Sequence, residues 1–262
     1  MGHLPVVKYL VGRGAAINSV STDDPPAPSF VSNPSYTALQ LAAANGKLPV
    51  VEYLILNEAF PNSVDFLGRT ALNRAAARGH LETVKHLIQN GADVNLIGIS
   101  ALQKVSALHK AAEEGFLPVV QLLFQNNASI DALDKDGLTP LHRAARGNFE
   151  AVKRLLEKGA NLHKENNAGE TALSIASEIE SWRIVQLLAD NNADVNAQGG
   201  IALSRAIESE EWQMVEYLVD KGASVCISQV SENLDKFKRL YPDYEFKEEL
   251  EDVENAISGL EI

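Results

Sequence analysis

One phrase recurs along most of this 262-residue chain: an alanine-rich segment, then a valine-rich segment that closes in a turn. Its clearest copy, from Gly68 to Asn95, reads GRTALNRAAARGHLETVKHLIQNGADVN, and a second, from Gly137 to Leu162, reads GLTPLHRAARGNFEAVKRLLEKGANL. Successive leucines of the phrase lie 33, 36, 33, 32 and 30 residues apart, at Leu39, Leu72, Leu108, Leu141, Leu173 and Leu203. Self-similarity at a fixed spacing of a few tens of residues indicates stacked copies of one structural unit.

Each copy of the phrase predicts two helices. Ala75 and Ala76 lie beside Leu72, so the first helix can approach its neighbours closely. Apolar residues such as Val84 and Leu87 then follow at helical spacing and mark one face of a second helix. Prolines where the second helix starts and glycines just past its end set its limits: Pro5, Pro49, Pro118, Gly91, Gly159 and Gly222. A single pair cannot bury its apolar stripe, so the copies must stack.

Three further motifs identify the repeat. They are Thr-Pro-Leu-His at 139–142, Gly-His-Leu at 79–81 and Gly-Ala-Asp-Val-Asn at 91–95. Together with the period, they resemble the ankyrin repeat family, over six repeats with both helices and a leading half-repeat. The resemblance implies an all-α solenoid of stacked helix pairs with hairpin fingers. We expect the array to occupy residues 1–227 and an acidic helical C-terminal cap to occupy residues 228–262.

Two insertions interrupt the period. Residues 19–35 are rich in Pro, Ser and Asp and predict an extended loop, which is either a tolerated surface loop or part of a binding face. A second insertion, of three residues, lies near 96–104, where Ile97, Ile99 and Leu102 make the finger unusually apolar. This finger either contacts a partner or packs on its neighbour. The half-repeat at the N-terminus indicates either a truncated array or a crude cap.

Composition limits the partners and the location. The formal net charge is −12, so nucleic acid and anionic membranes are poor general partners. The sequence lacks an apolar run long enough for a bilayer and lacks a secretory signal, which predicts a location in the cytoplasm or nucleus. We also expect a monomer. No phosphate-binding loop, metal-ligand motif or dinucleotide motif is present, so we expect neither enzyme activity nor a cofactor or metal. The resemblance assigns His109 and His142 a structural hydrogen bond to the adjoining loop.

The resemblance places the partner surface on the first helices and fingers, which line a concave face. At the position before the alanine pair the chain carries Arg74, Lys110, Arg143 and Arg205, which we call the basic column. Only Leu41 and Ile175, at the same position in the other two repeats, are not basic. Arg78 and Arg146 follow one turn later. A basic stripe on an acidic protein favours an acidic or phosphorylated peptide, or an acidic helix, as ligand.

The alternative is that these cations are neutralised within the helix. Lys110 has Glu113 and Glu114 within one turn, and Arg205 has Glu208. Arg74 and Arg143 lack such acids, so positive potential is expected there. The full candidate set for partner binding is Phe66, Leu67, Arg69, Arg74, Arg78, Lys110, Lys135, Asp136, Leu138, Arg143, Arg146 and Arg205.

These observations predict a non-catalytic protein-binding module that uses the concave face between about residues 66 and 178. The alternative is a targeting or autoregulatory domain of a larger enzyme or of a secreted bacterial effector, the latter acting in the host cytoplasm. A leucine eight residues before Asp-Val-Asn is also similar to substrates of an asparaginyl hydroxylase, which implies modification of Asn95 and Asn196.

Overall fold

A computed structural model describes residues 3–20, 36–65, 67–97, 105–224, 234–242 and 244. These residues form fourteen helices and no strand. The helices are α1 (Leu4–Gly12), α2 (Ala38–Ala44), α3 (Leu48–Leu56), α4 (Ala71–Ala76), α5 (Leu81–Gln89), α6 (Ala107–Glu113), α7 (Leu117–Gln125), α8 (Pro140–Ala144), α9 (Phe149–Glu157), α10 (Ala172–Glu178), α11 (Trp182–Asp190), α12 (Ala197–Glu208), α13 (Trp212–Asp220) and α14 (Leu234–Leu240). The predicted series of six helix pairs after a single second helix, α1, is confirmed.

The chain divides into two compact units. The first comprises Met1–Ala144 with Glu150–Ala160, and the second comprises Ala145–Phe149 with Asn161–Ile262. In the first unit, first helices contact one another in series, α2 with α4, α4 with α6 and α6 with α8. In the second unit α10 contacts α12 in the same way.

Most of the first helices begin at a hydroxyl residue that caps them. Thr37, Thr70, Ser106 and Thr171 each accept a hydrogen bond from the backbone N–H three residues later. This bond satisfies one of the N–H groups that a helix N-terminus otherwise leaves without a partner. A Thr-x-Leu or Ser-x-Leu phrase therefore starts a helix as short as six residues.

The core of each repeat combines small apolar side chains, the alanines, with large ones, leucine and valine. On the first helices Leu72, Ala75 and Ala76 are fully buried, and on the second helices Val84 and Leu87 are as well. The alanines let helices approach, while the leucine and valine fill the space between neighbouring repeats. Burial of each such leucine or valine contributes on the order of 1.5–3 kcal/mol.

The turn between the two helices of a repeat is covered by the next repeat. Gly79 has φ +68, and a Cβ placed there would lie 2.5 Å from the Phe116 ring. Gly46 has φ +61 and lies in the same way against the ring of His80. These glycines are needed both for the left-handed backbone and for the close approach of the ring.

Gly79→Ala tests this double requirement against Gly91→Ala, which also changes a left-handed glycine, at φ +85, but meets nothing within 4 Å. Gly91→Ala should lower the free energy of unfolding by about 1 kcal/mol through backbone strain alone. Gly79→Ala should lower it by a further 1–3 kcal/mol or so, because Phe116 must move. Urea denaturation measures both values, and equal losses would contradict the packing argument.

Several predicted features lie outside the described residues: most of the 19–35 insert, the finger beyond residue 97, Phe66 and the C-terminal segment after residue 244. Helix α14 is described, and it packs on the last repeat. Phe237 is fully buried, and Lys236 Nζ lies 2.6 Å from Glu210 Oε2 and 4.7 Å from the centre of the Trp212 ring. The cap itself stays a prediction.

Candidate protein-binding surface

A buried aspartate organises each of two hairpin fingers in the first unit. Asp65 Oδ1 accepts hydrogen bonds from the backbone N–H groups of Leu67 and Arg69, at 2.9 and 2.8 Å. Asp65 Oδ2 accepts from Arg69 Nε at 3.0 Å and from Arg74 Nη2 at 2.5 Å. The same carboxylate therefore closes the turn of the finger and fixes an arginine of the basic column.

Asp134 does the same for the finger two repeats later. Its Oδ1 accepts from the backbone N–H groups of Asp136 and Leu138, each at 2.9 Å. Its Oδ2 accepts from Arg143 Nε and Nη2, at 3.0 and 2.5 Å. The side chain of Asp134 is fully buried and that of Arg143 is 12% exposed.

The prediction that Arg74 and Arg143 lack neutralising acids is therefore wrong. Each pairs with an aspartate nine residues earlier in the chain. A search restricted to one helical turn misses such a pair, because the finger bends the chain back over the helix that follows it. Both arginines are structural ties between finger and helix as well as members of the column.

Hydrogen bonding sets the protonation of these carboxyls. Burial by itself raises the pKa of Asp134, but the bonds from Arg143 and from the Leu138 backbone outweigh it and hold the pKa below its usual value. The pKa of Asp65 is lowered in the same manner by the Arg69 backbone and by the Arg74 side chain, against the opposing effect of burial. Both groups stay ionised at neutral pH.

Asp134→Asn should lower the free energy of unfolding at pH 7 by about 1.5–3 kcal/mol, because Arg143 loses one of its two carboxylate partners in a mostly buried place. The control is Asp136→Asn, since the Asp136 side chain is 52% exposed in the same finger, and its change should stay within about 0.5 kcal/mol.

The same pair of variants gives a pH dependence. A carboxyl whose pKa is lowered by folding stabilises the folded state above its unfolded pKa, about 4, and loses that contribution as the pH falls through the folded value. The difference between wild type and Asp134→Asn should therefore shrink as the pH falls below about 4. Urea denaturation from pH 7 to pH 3 measures it, and a difference that does not change with pH would refute this origin.

The carboxylate of Glu113 links two members of the basic column, Lys110 and Arg143. Glu113 Oε2 lies 2.7 Å from Lys110 Nζ, and Glu113 Oε1 lies 3.1 Å from Arg143 Nη1. The expected neutralisation of Lys110 within its helix is confirmed. That of Arg205 is also confirmed, in the second unit, where its Nη1 lies 3.2 Å from Glu208 Oε2.

Four cations of the predicted set meet around one pocket in the first unit. The pocket has a volume of about 190 Å³, and we call it the basic pocket. Its wall includes Arg69, Arg74, Arg78, Lys110, Asn73 and Glu114. Arg78 is exposed, and its Nη1 donates to the Ala44 carbonyl oxygen at 3.0 Å. No described carboxylate lies within ion-pair distance of Arg78.

Arg74 is held from two sides. Asp65 binds one end of the guanidinium, and the guanidinium carbon lies 3.9 Å from the centre of the Tyr36 ring. The Nε of Arg74 is buried and has no hydrogen-bond partner among the described residues. Sequence reasoning missed Tyr36, because it precedes the capping Thr37 and carries no repeat signal.

The structure places the remaining predicted residues differently. Leu138 is 4% exposed, so its predicted place on an accessible finger surface is wrong: its backbone closes the Asp134 turn and its side chain packs inward. Leu67 is half-buried, while Lys135 and Asp136 are exposed and pair with each other at 3.5 Å. Arg146 is exposed and belongs to the second unit.

The structural role predicted for His109 is confirmed. Its Nε2 lies 2.9 Å from the Leu138 carbonyl oxygen, while its Nδ1 lies 2.7 Å from Ser106 Oγ. Burial lowers the pKa of His109, against the opposing effect of that carbonyl. His142 is also buried, and its Nδ1 lies 2.8 Å from the hydroxyl of Thr139.

The two asparagines expected to be hydroxylated bridge neighbouring turns. Asn95 Nδ2 donates to the Asn127 carbonyl oxygen at 3.0 Å, and Asn95 Oδ1 accepts from the Ser129 N–H at 2.7 Å. Asn196 bonds in the same way to Gly222 and Ser224. Their modification stays a prediction.

Two absences hold for the part of the chain that the structure describes. No group of three or more His, Cys, Asp or Glu side chains could hold a metal ion there. None of the helices there combines the length and apolarity that crossing a bilayer requires.

Comparison with known proteins agrees with this architecture. The chain is 53% identical over 49 residues to a transient receptor potential cation channel subfamily A member 1 homolog of Caenorhabditis elegans, 18% of this chain and 4% of that protein. It is 42% identical over 59 residues to a probable E3 ubiquitin-protein ligase, XBOS32, of Oryza sativa subsp. japonica, 22% of this chain and 12% of that protein. It is 40% identical over 68 residues to the Neurogenic locus Notch protein of Drosophila melanogaster, 25% of this chain and 2% of that protein.

These alignments span at most 12% of those relatives' own lengths. The family model for ankyrin repeats matches three times, at residues 1–98, 96–166 and 146–229. With the helix pairs and capped first helices described above, the match shows that this chain belongs to the ankyrin repeat family.

Proposed function

We propose that this chain is a non-catalytic protein-binding module whose basic pocket takes an acidic or phosphorylated segment of a partner. Ankyrin repeats are generally protein–protein interaction modules, which supports the first part. The observation that carries the second is the excess of cations over acids around the basic pocket, on a chain whose formal net charge is −12.

The net charge of the basic pocket follows from its ion pairs. Arg69 and Arg74 share the single carboxylate of Asp65, so one positive charge remains between them. Arg78 adds another, because its described bond goes to a carbonyl oxygen. The pair of Lys110 with Glu113 is neutral, and Glu114 at the pocket wall subtracts one charge. The pocket therefore keeps a net positive charge.

The geometry suits a carboxylate or phosphate. Arg74 is held in place by Asp65 and Tyr36, so this part of the site needs little reorganisation on binding. Arg78 is exposed and keeps guanidinium donors that can form charge-assisted bonds with a planar or tetrahedral anion. A cation held in place loses less side-chain entropy on binding than a free one. An extended acidic segment along the first helices is the ligand that this arrangement favours.

Arg78→Glu is the direct test, because Arg78 is exposed whereas Arg74 and Arg143 are tied to buried aspartates and their change would disturb the fold. The probes are fluorescein-labelled hexaglutamate and a phosphoserine peptide, titrated into the full chain by fluorescence anisotropy. We expect Arg78→Glu to weaken binding at least about tenfold, or 1.4 kcal/mol. Added salt should weaken wild-type binding as well.

The matched control is Lys85→Glu, an exposed cation on α5 with the same change of charge. It should leave the dissociation constant within about twofold. Equal weakening by both variants would reduce the effect to net charge, and no saturable binding of either probe would remove the acidic ligand from the proposal.

A second candidate places the same module within a larger protein, as a targeting or autoregulatory domain. The observation in its favour is that the matched relatives are many times longer than the aligned segments. The basic pocket would then bind a segment of that same protein. Binding of purified flanking domains in trans, lost in Arg78→Glu, is the measurement that distinguishes this candidate.

A further inference from the structure

One acidic side chain of the basic pocket stands apart from its ion pairs. Glu114 lines the pocket together with Arg78 and Lys110. Lys110 pairs instead with Glu113, at 2.7 Å. Glu114 is exposed, and among the described residues its carboxylate forms no ion pair or hydrogen bond. A ligand that carries only acids would therefore meet repulsion from one wall of a pocket that is otherwise basic.

The repeat register places Arg78 and Glu114 at the same position of adjacent repeats. Each lies six residues after the leucine of its first helix, Leu72 or Leu108. Each also lies within two residues of the end of that helix, α4 or α6, and these two helices contact one another. The opposite signs at this one register position put a cation and an anion on neighbouring parts of the pocket wall.

The two charges do not neutralise each other. Arg78 Nη1 donates to the Ala44 carbonyl oxygen at 3.0 Å, so the guanidinium contacts the repeat before its own, whereas Glu114 belongs to the repeat after it. The ion pairs among the described residues do not include one between Arg78 and Glu114. Both side chains are thus available to a ligand, at separate places on the pocket wall.

We propose that the ligand of the basic pocket carries a basic residue two positions from its acidic or phosphorylated residue, and that Glu114 binds the basic one. This inference rests on the proposed function, because it concerns the same site. Arg78 and the positive charge that remains between Arg69 and Arg74 bind the anion. Glu114 is then the residue that determines specificity, since it repels a wholly acidic segment and attracts one of alternating charge.

The spacing of two residues follows from the geometry of an extended chain. Side chains at positions i and i+2 point to the same side and lie about 7 Å apart. With the reach of a lysine or arginine side chain added, this separation suits charges on adjacent packed helices, whose axes are about 8–10 Å apart. A pocket of about 190 Å³ has room for the ends of two side chains and not for a helix.

The exposure of Glu114 limits how strongly it can select. An exposed ion pair changes an affinity by up to about fivefold. Contacts to the anion therefore supply most of the affinity, and Glu114 decides between ligands that carry the same anion. The selection should weaken as salt is added, because exposed charges are screened.

The test compares two fluorescein-labelled phosphoserine peptides, which differ only at the positions two residues away on either side. One is Lys-Gly-pSer-Gly-Lys, and the other has glutamine in place of both lysines. Each is titrated into the full chain at low salt by fluorescence anisotropy. We expect wild type to bind the lysine peptide at least about threefold more tightly, and Glu114→Gln to lower this ratio at least about twofold.

The matched control is Glu82→Gln, since Glu82 is an exposed glutamate of α5 outside the pocket wall and its substitution changes the net charge equally. It should leave the ratio of the two dissociation constants as in wild type, and thermal unfolding should show both variants folded.

A ratio that Glu114→Gln leaves unchanged, or that both variants lower equally, overturns the inference while the proposed function stands. Absence of saturable binding by either phosphoserine peptide overturns the inference too. If hexaglutamate also fails to bind, the proposed acidic ligand falls with it.

Discussion

Everything in this molecule depends on the fact that one repeat cannot bury its own apolar face. Leu87 and Val84 of one second helix are removed from water only because the neighbouring helices surround them, and α1, whose own first helix is not among the described residues, shows the contrast. The second-helix leucine is fully buried in repeats with neighbours on both sides, as at Leu87, whereas the equivalent Leu10 is 50% exposed. Stability in such an array is a sum of terms within repeats and terms between adjacent repeats.

A second set of interactions lies outside the core and ties each finger to its helix. The carboxylates of Asp65 and Asp134 close a turn with one oxygen and hold an arginine with the other. Burying these arginines costs less free energy than burying isolated charges would, because each guanidinium is paired with a carboxylate. The same ties limit which cations can change their contacts when a ligand arrives, and they leave Arg78 as the most available one.

The helix pairs, their capping residues and the buried leucines could be predicted from the sequence, because each depends on residues within a few positions of one another. The structural role of His109 followed from the resemblance to the ankyrin repeat family, which implies its bond to the adjoining loop. The pairing of Arg143 with Asp134 could not be predicted from helical spacing, since the finger brings together residues nine positions apart. Leu138 was predicted to be exposed because finger residues usually are, but its turn directs it inward.

The basic pocket around Arg69, Arg78 and Lys110 lies on the first unit. An acidic ligand is proposed to bind in this pocket. Hydrogen exchange of the full chain, with and without saturating phosphoserine peptide, tests this most directly. Slower exchange confined to residues 69–78 and 107–114 is the predicted result, whereas slower exchange only in the second helices α5 and α7, or in α1, would contradict it.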